Sequence, residues 1–214
     1  MDEEITIIDS NTRNEKIKNF FINNKKKLIL TVSIILIIII GYLSFEKSKE
    51  RTKIKLANQY NLALIDLNPD NKKKKIKEMV NVIKSNDATY SPLALYHLLD
   101  NNLLEDNDEI NILFNELIEK TNLENEIKNL IIYKKALFNS DLVSENELLQ
   151  MLNPIINSES IWKSHALYLL AEFFYSKDEK QKAKEFFNQI LLLPNANNDI
   201  KAETQKRLNR DLGE

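Results

Sequence analysis

The chain has 214 residues with 43% hydrophobic and 29% charged side chains, a balance that folds rather than stays disordered. The absence of cysteine excludes disulfides, thiolate metal sites, cysteine nucleophiles and acylation on cysteine, and a net charge of -2 argues against nucleic acid as a partner. Two glycines and four prolines are too few turn residues for a strand-rich fold, so the expected class is all-α.

Charge is unevenly spread. Residues 1–45 carry 6 basic and 5 acidic side chains, residues 46–86 carry 11 and 5, and residues 87–214 carry 13 and 22. A basic neck therefore joins an acidic distal body, and the chain divides into a tail at 1–27, an apolar segment at 28–45 and a helical domain at 46–214. Part of the Ile, Lys and Asn excess is what an AT-rich genome would produce, so it is not weighed as functional evidence.

The tail ends in the triplet Lys25–Lys27. From Leu28 to Phe45 there are 18 residues without a charge, about 27 Å of helix, close to the thickness of a bilayer core. Its 13 Leu, Ile, Val and Phe side chains sum to roughly -4 to -8 kcal/mol on an insertion scale. A transmembrane helix spanning 28–45 is expected, because the run is apolar on every face and not along one stripe as in a buried core helix. A cleaved signal peptide is the main rival. The length of the preceding tail, the length of the apolar run and the lack of a small-x-small site around Ser44 to Lys47 favour an uncleaved anchor.

Basic residues flank both ends: Arg13, Lys16, Lys18 and the triplet before, Lys47, Lys49, Arg51, Lys53 and Lys55 after. The triplet abuts the apolar run whereas the later charges alternate with Glu46 and Glu50, which favours a cytosolic N-terminus and a translocated C-terminal domain. The neck reads as a solvated helix face, with contact to anionic headgroups as the sharper alternative. The run Lys72–Lys75 opens a helix at the end where the macrodipole disfavours cations.

Beyond the neck, helices are expected at about 48–67, 72–85, 90–104, 108–121, 123–139, 145–156, 161–176, 179–193 and 198–211. The breaks carry local signals: Asn68-Pro69-Asp70, Ser91-Pro92, Glu105–Asp108, Ser140–Ser144 with Ser144 and Glu147 as a capping box, and Ser176–Glu179. Antiparallel pairs of such helices stack into a solenoid. One pair has a repeat signature, Leu167-x3-Ala171-x2-Phe174 followed by Ala183-x3-Phe187 and Pro194. Large, small and aromatic residues there match the pattern of a tetratricopeptide repeat, with Lys177-Asp178-Glu179 where the Gly-Asp turn would stand. Ala57-x2-Tyr60-x2-Ala63 and Leu93-Ala94-x-Tyr96 are weaker echoes, and an ordinary helical-hairpin core accounts for the same residues.

The order of parts resembles the membrane-anchored tetratricopeptide-like proteins that include the ancillary subunit of the bacterial SecYEG translocon. The resemblance is carried by Lys25–Lys27, the apolar span with Gly41-Tyr42 near its end, Ala57-x2-Tyr60-x2-Ala63 and the degenerate repeats. The resemblance implies residence in the inner membrane, repeats exposed to the periplasm, and assistance to protein export through contacts with the translocon, chaperones or clients. No binding residue is carried over from it, and the groove residues are not assigned. A cell-envelope scaffold or division-linked adaptor built on the same repeats is the alternative.

Signs of chemistry are sparse. His97 and His165 stand on different helices, and no phosphate loop can be built around Gly41 and Gly213 alone. The cluster Glu105-Asp106-Asn107-Asp108-Glu109 lacks the glycine and spacing of a Ca²⁺ loop. No catalytic residue, cofactor or metal ligand is assigned, and Trp162 is read as packing rather than an interface anchor.

Overall fold

The computed structural model describes residues 15–65 and 70–213. Arg13, most of the break Asn68-Pro69-Asp70 and the end of the expected helix 48–67 lie outside the described residues, as does the first half of the tail. All regular structure among the described residues is helical. Contacts divide the chain into one compact unit ending at Lys55 and another beginning at Leu56.

In the first unit, residues 15–23 are helical and a turn at Asn24 separates them from helix α1, Lys25–Ile65. This 41-residue helix contains one apolar window long enough to cross a membrane, and no part of that window is buried. The helix runs through positions 45 and 46 without interruption, so the expected helix 48–67 is the continuation of the apolar span rather than a separate element. The physical reason is local: Phe45 to Lys55 contains charges but no Gly or Pro, and charged residues with long side chains sustain a helix well.

In the second unit the last turns of α1 bury Leu56 and Ala63 and half-bury Tyr60 and Leu64, positions that share one face. Eight helices follow: α2 (Lys72–Ile83), α3 (Tyr90–Asp100), α4 (Asn107–Lys120), α5 (Asn125–Asn139), α6 (Glu145–Ile156), α7 (Lys163–Ser176), α8 (Lys180–Leu192) and α9 (Asn198–Asp211). The even-numbered helices from α2 to α8 begin at residues 72, 107, 145 and 180, and the odd-numbered ones from α3 to α9 at 90, 125, 163 and 198. Helix pairs thus recur every 35 to 38 residues. From α2 onward neighbours in sequence pack together, α2 also touches α4, and α7 also touches α5 and α9.

Side-chain caps set several of these boundaries. Asp87 accepts the backbone N–H groups of Thr89 and Tyr90 at 2.9 and 2.8 Å, Asp106 accepts that of Asp108, and Asn197 accepts those of Asp199 and Ile200. Ser144 and Glu147 form the expected capping box on α6. The lysine-rich start of α2 is partly compensated, because Lys75 donates to the Leu62 carbonyl at 3.1 Å in the last turn of α1, where the helix dipole is negative, and lies 3.4 Å from Glu78.

Helix ends use left-handed residues in place of glycine. Asn102 has φ 49° and Asp178 φ 61°. In each case two bonds close a Schellman motif: Asn102 N–H to Leu99 O and Leu103 N–H to Leu98 O, then Asp178 N–H to Tyr175 O and Glu179 N–H to Phe174 O. The first of these motifs stops α3 at Asp100, short of the expected 104. The second forms the tight α7–α8 turn.

Two apolar clusters form the core. One gathers Ala63, Met79, Ile83, Leu95, Leu98, Leu113, Phe114 and Leu117 with Ile131 of α5; the other gathers Ala136 of α5 with Leu148, Leu152, Leu170, Phe174, Phe187 and Ile190. Helix α5 therefore serves both. Its contact with α4 includes a polar seam in which Asn111 and Asn139 exchange amide hydrogen bonds at 3.0 and 2.8 Å and Lys135 donates to Asn115 at 2.7 Å. Asn139 is buried, and these bonds satisfy an amide that would otherwise be costly there. Burial also lowers the pKa of Lys135.

Candidate functional site

The residues of the repeat signature lie where α7 meets α8. Leu167, Ala171, Phe174, Ala183 and Phe187 are all buried, whereas Pro194 is exposed just beyond the end of α8. Ala171 and Ala183 present no side chain beyond Cβ, so the two backbones approach closely, and the aromatic rings fill the space beside them. Phe174 stacks on Phe186 at 5.4 Å, and Tyr168 meets Phe187 edge-on at 5.5 Å. These residues hold the pair together. They are not a surface on which a partner could land.

The odd-numbered helices carry a different set of side chains, half-exposed and chemically mixed. On α3, Tyr96 lies under the ammonium of Lys134 from α5, at 4.5 Å from the ring centroid. Its hydroxyl is buried without a protein partner, and burial, then the nearby Asp100 carboxylate, push its pKa up to about 12. The neighbouring His97 has Nδ1 3.2 Å from the Asn101 amide nitrogen and a buried Nε2 that no protein group meets.

Between α5 and α7, Tyr133 stacks on Trp162 at 6.1 Å, and His165 packs against both rings at 5.9 and 5.1 Å. The register of this contact is held by Glu126 at the start of α5, which accepts from the Ser160 hydroxyl at 2.8 Å and from the Ile161 N–H at 3.3 Å. The His165 Nδ1 is buried and unpartnered. At the far end, Arg207 of α9 makes a two-pronged pair with Glu172 of α7 at 2.7 Å on each arm, contacts Asp211, and lies over the Tyr175 ring at 4.4 Å. Its hydrogen bonds to Glu172 hold it charged, raising its pKa.

Among the described residues, the buried side-chain atoms without a protein partner, Tyr96 Oη, His97 Nε2, His165 Nδ1 and Thr204 Oγ1, all belong to α3, α7 or α9. None is on an even-numbered helix. Exposed apolar side chains occur on both sets, Leu93, Ile127 and Leu137 on α3 and α5 and Ile112 and Leu192 on α4 and α8. Among the described residues, the odd helices thus carry half-exposed aromatic rings with buried, unpartnered polar atoms beside them.

Comparison with protein-family models, with curated proteins and with solved structures finds no match to this chain.

Among the described residues no three His, Asp or Glu side chains gather as a metal-binding group. A cleft of about 380 Å³ at the starts of α2 and α4 contains Lys72, Lys73, Glu105, Asp106 and Glu109, and all of these but the half-buried Lys72 are exposed.

Sequence reasoning reached Trp162, His97 and His165 one at a time. It missed their grouping with Tyr96, Tyr133 and Lys134. The usable signal is an aromatic or histidine on each of three successive odd helices, at 96, 133 and 165, although their intervals do not keep the spacing of the helix pairs.

Burial holds the His165 imidazole below its ordinary value of 6.5, so the unfolded chain takes up this proton first as the pH falls. The stability contributed by neutral His165 is complete above pH 6.5 and is lost progressively below it. Melting temperatures measured between about pH 8 and pH 5 are expected to fall toward acid, and to fall less in His165→Phe. An equal slope in both proteins would remove His165 as the cause.

Proposed function

We propose that this protein is a single-pass protein of the bacterial inner membrane, with its N-terminus in the cytosol and a tetratricopeptide-like domain in the periplasm that binds other proteins. Its role in this reading is that of an accessory to the Sec export machinery, holding translocon subunits, chaperones or emerging clients against the odd-numbered helices. The observation that carries the proposal is the regular recurrence of helix pairs every 35 to 38 residues, joined through α1 to a fully exposed apolar window. A repeat of that length suits the tetratricopeptide family, and stacked pairs leave one set of helices facing a groove. An apolar window with nothing packed on it calls for lipid around it, because so much exposed hydrocarbon is strongly unfavourable in water.

Photo-crosslinking in intact cells tests the reading. A crosslinker at Leu93 or Leu137, both exposed on the odd helices, is expected to capture translocon subunits or secretory proteins, whereas one at Ile112 on α4 is not. Capture of division or wall-synthesis proteins, with no export component, would replace the accessory role by that of an envelope scaffold. Equal capture from all three sites would remove the groove from the proposal.

A further inference from the structure

The segment before α1 has one apolar and one polar face. Residues 15–23 are helical, and a turn at Asn24 stands before Lys25. At 3.6 residues per turn, Ile17, Phe20 and Phe21 fall on one face within an arc of about 100°. Glu15, Asn19 and Asn23 occupy the opposite face, and Lys16 and Lys18 stand at the two borders between them. Ile22 alone is apolar outside the arc. Ile17 is 47% exposed, Phe20 57% and Phe21 58%, with the two rings edge-to-face at 6.0 Å.

We infer that residues 15–23 form an amphipathic anchor that sinks Ile17, Phe20 and Phe21 into the headgroup boundary of a membrane leaflet carrying anionic lipid. This rests on the reading of α1 as membrane-spanning. Two observations select a bilayer rather than another protein. The face continues, in chain and in register, into α1, where Phe21, Lys25, Leu28, Ile29 and Val32 line one open apolar surface. The flanking charge is also one-sided, since Lys16, Lys18, Lys25, Lys26 and Lys27 are opposed only by Glu15 among the described residues of this segment. Lysines at the borders of an apolar face can keep their stems in the interface while their ammonium groups reach phosphates. The bonds Asn24 N–H to Phe20 O at 3.0 Å and Leu28 N–H to Asn24 O at 2.9 Å carry the helical ladder through Asn24, so lying in the membrane plane requires the chain to bend there on binding lipid.

The absence of cysteine makes the test clean. Single cysteines are placed at 17, 19, 20, 21, 23 and 36 in the full chain, spin-labelled, and reconstituted in vesicles of phosphatidylethanolamine and phosphatidylglycerol. Collision with oxygen is expected to be high, and with a water-soluble nickel complex low, at 17, 20 and 21, and the reverse at 19 and 23. A label at 36 should report the bilayer interior. Phe20→Glu with Phe21→Glu should move a label at 17 into water and leave 36 unchanged. Water-like values at 17, 20 and 21 with 36 still in lipid would overturn the anchor while sparing the span. Water-like values at 36 as well would overturn both. The same pattern at unchanged depth in pure phosphatidylcholine would overturn the role given to the lysines.

Discussion

With Leu36→Arg and Ile37→Arg together, alkaline carbonate is expected to strip the full-length protein from membrane vesicles, while the unaltered protein stays in the pellet. These two positions lie at the middle of the 18-residue run from Leu28 to Phe45. The 13 large apolar side chains of the run contribute roughly -4 to -8 kcal/mol to insertion, and each arginine at the centre costs about 2.5 to 3.5 kcal/mol. Two of them, with the loss of Leu36 and Ile37, bring the total close to zero or beyond it. The helix itself is not at risk, since arginine sustains helices as well as leucine does. Loss of integration would therefore report on lipid contact and not on unfolding. Leu36→Ala with Ile37→Ala serves as the control, because it removes hydrocarbon without adding charge and should leave the protein in the pellet. Retention of the double-arginine protein, or release of the unaltered one, would remove the membrane from the proposal and with it the topology.

The helices of the second unit were legible from sequence because their apolar residues recur at helical spacing and polar breaks separate them. What escaped has definable causes. The boundary drawn at residue 46 marks a change in the surroundings a helix is suited to, from lipid to water, and not a change of conformation. With no breaker between Phe45 and Lys55, α1 simply continues. The early end of α3 was hidden because Asn102 takes the left-handed position that glycine usually fills, and asparagine is common throughout this chain. The Asn111–Asn139 pair was invisible for a related reason: a pattern of apolar spacing assigns every asparagine to the surface. Tyr133, Trp162 and His165 show a different gap. Each is readable as a packed residue, but their convergence depends on the register between helices about 30 residues apart in sequence, which Glu126 sets through Ser160 and Ile161.

The largest loss of stability in the second unit is expected from Phe174→Ala, at about 3 to 5 kcal/mol. Phe174 is 1% exposed, stacked on Phe186, edge-on to Phe173 at 5.6 Å and covered by the Lys182 ammonium at 4.9 Å. How much a core truncation costs depends on whether the neighbours can close the void. Here they have little freedom to do so. Ala171 and Ala183 are buried already and have no longer side chain to swing into the space, and the turn that follows Phe174 is fixed by the bonds Glu179 N–H to Phe174 O and Asp178 N–H to Tyr175 O. Lys182 is held over the ring by ion pairs to Glu145 at 2.8 Å and Glu179 at 2.7 Å, so it cannot fill the gap without breaking them. The cost belongs at the upper end of the range, a large share of the 5 to 15 kcal/mol that typically separates folded from unfolded domains. For a domain of this size it corresponds to a fall in melting temperature of about 6 to 20 °C. Circular dichroism of the detergent-solubilised protein would measure it. Phe174→Leu, which retains most of the volume, should lose less than half as much. A loss below about 1 kcal/mol for Phe174→Ala would mean that α7 and α8 do not close on each other around this ring. The repeat reading proposed for the second unit would then lose the helix pair on which its signature rests.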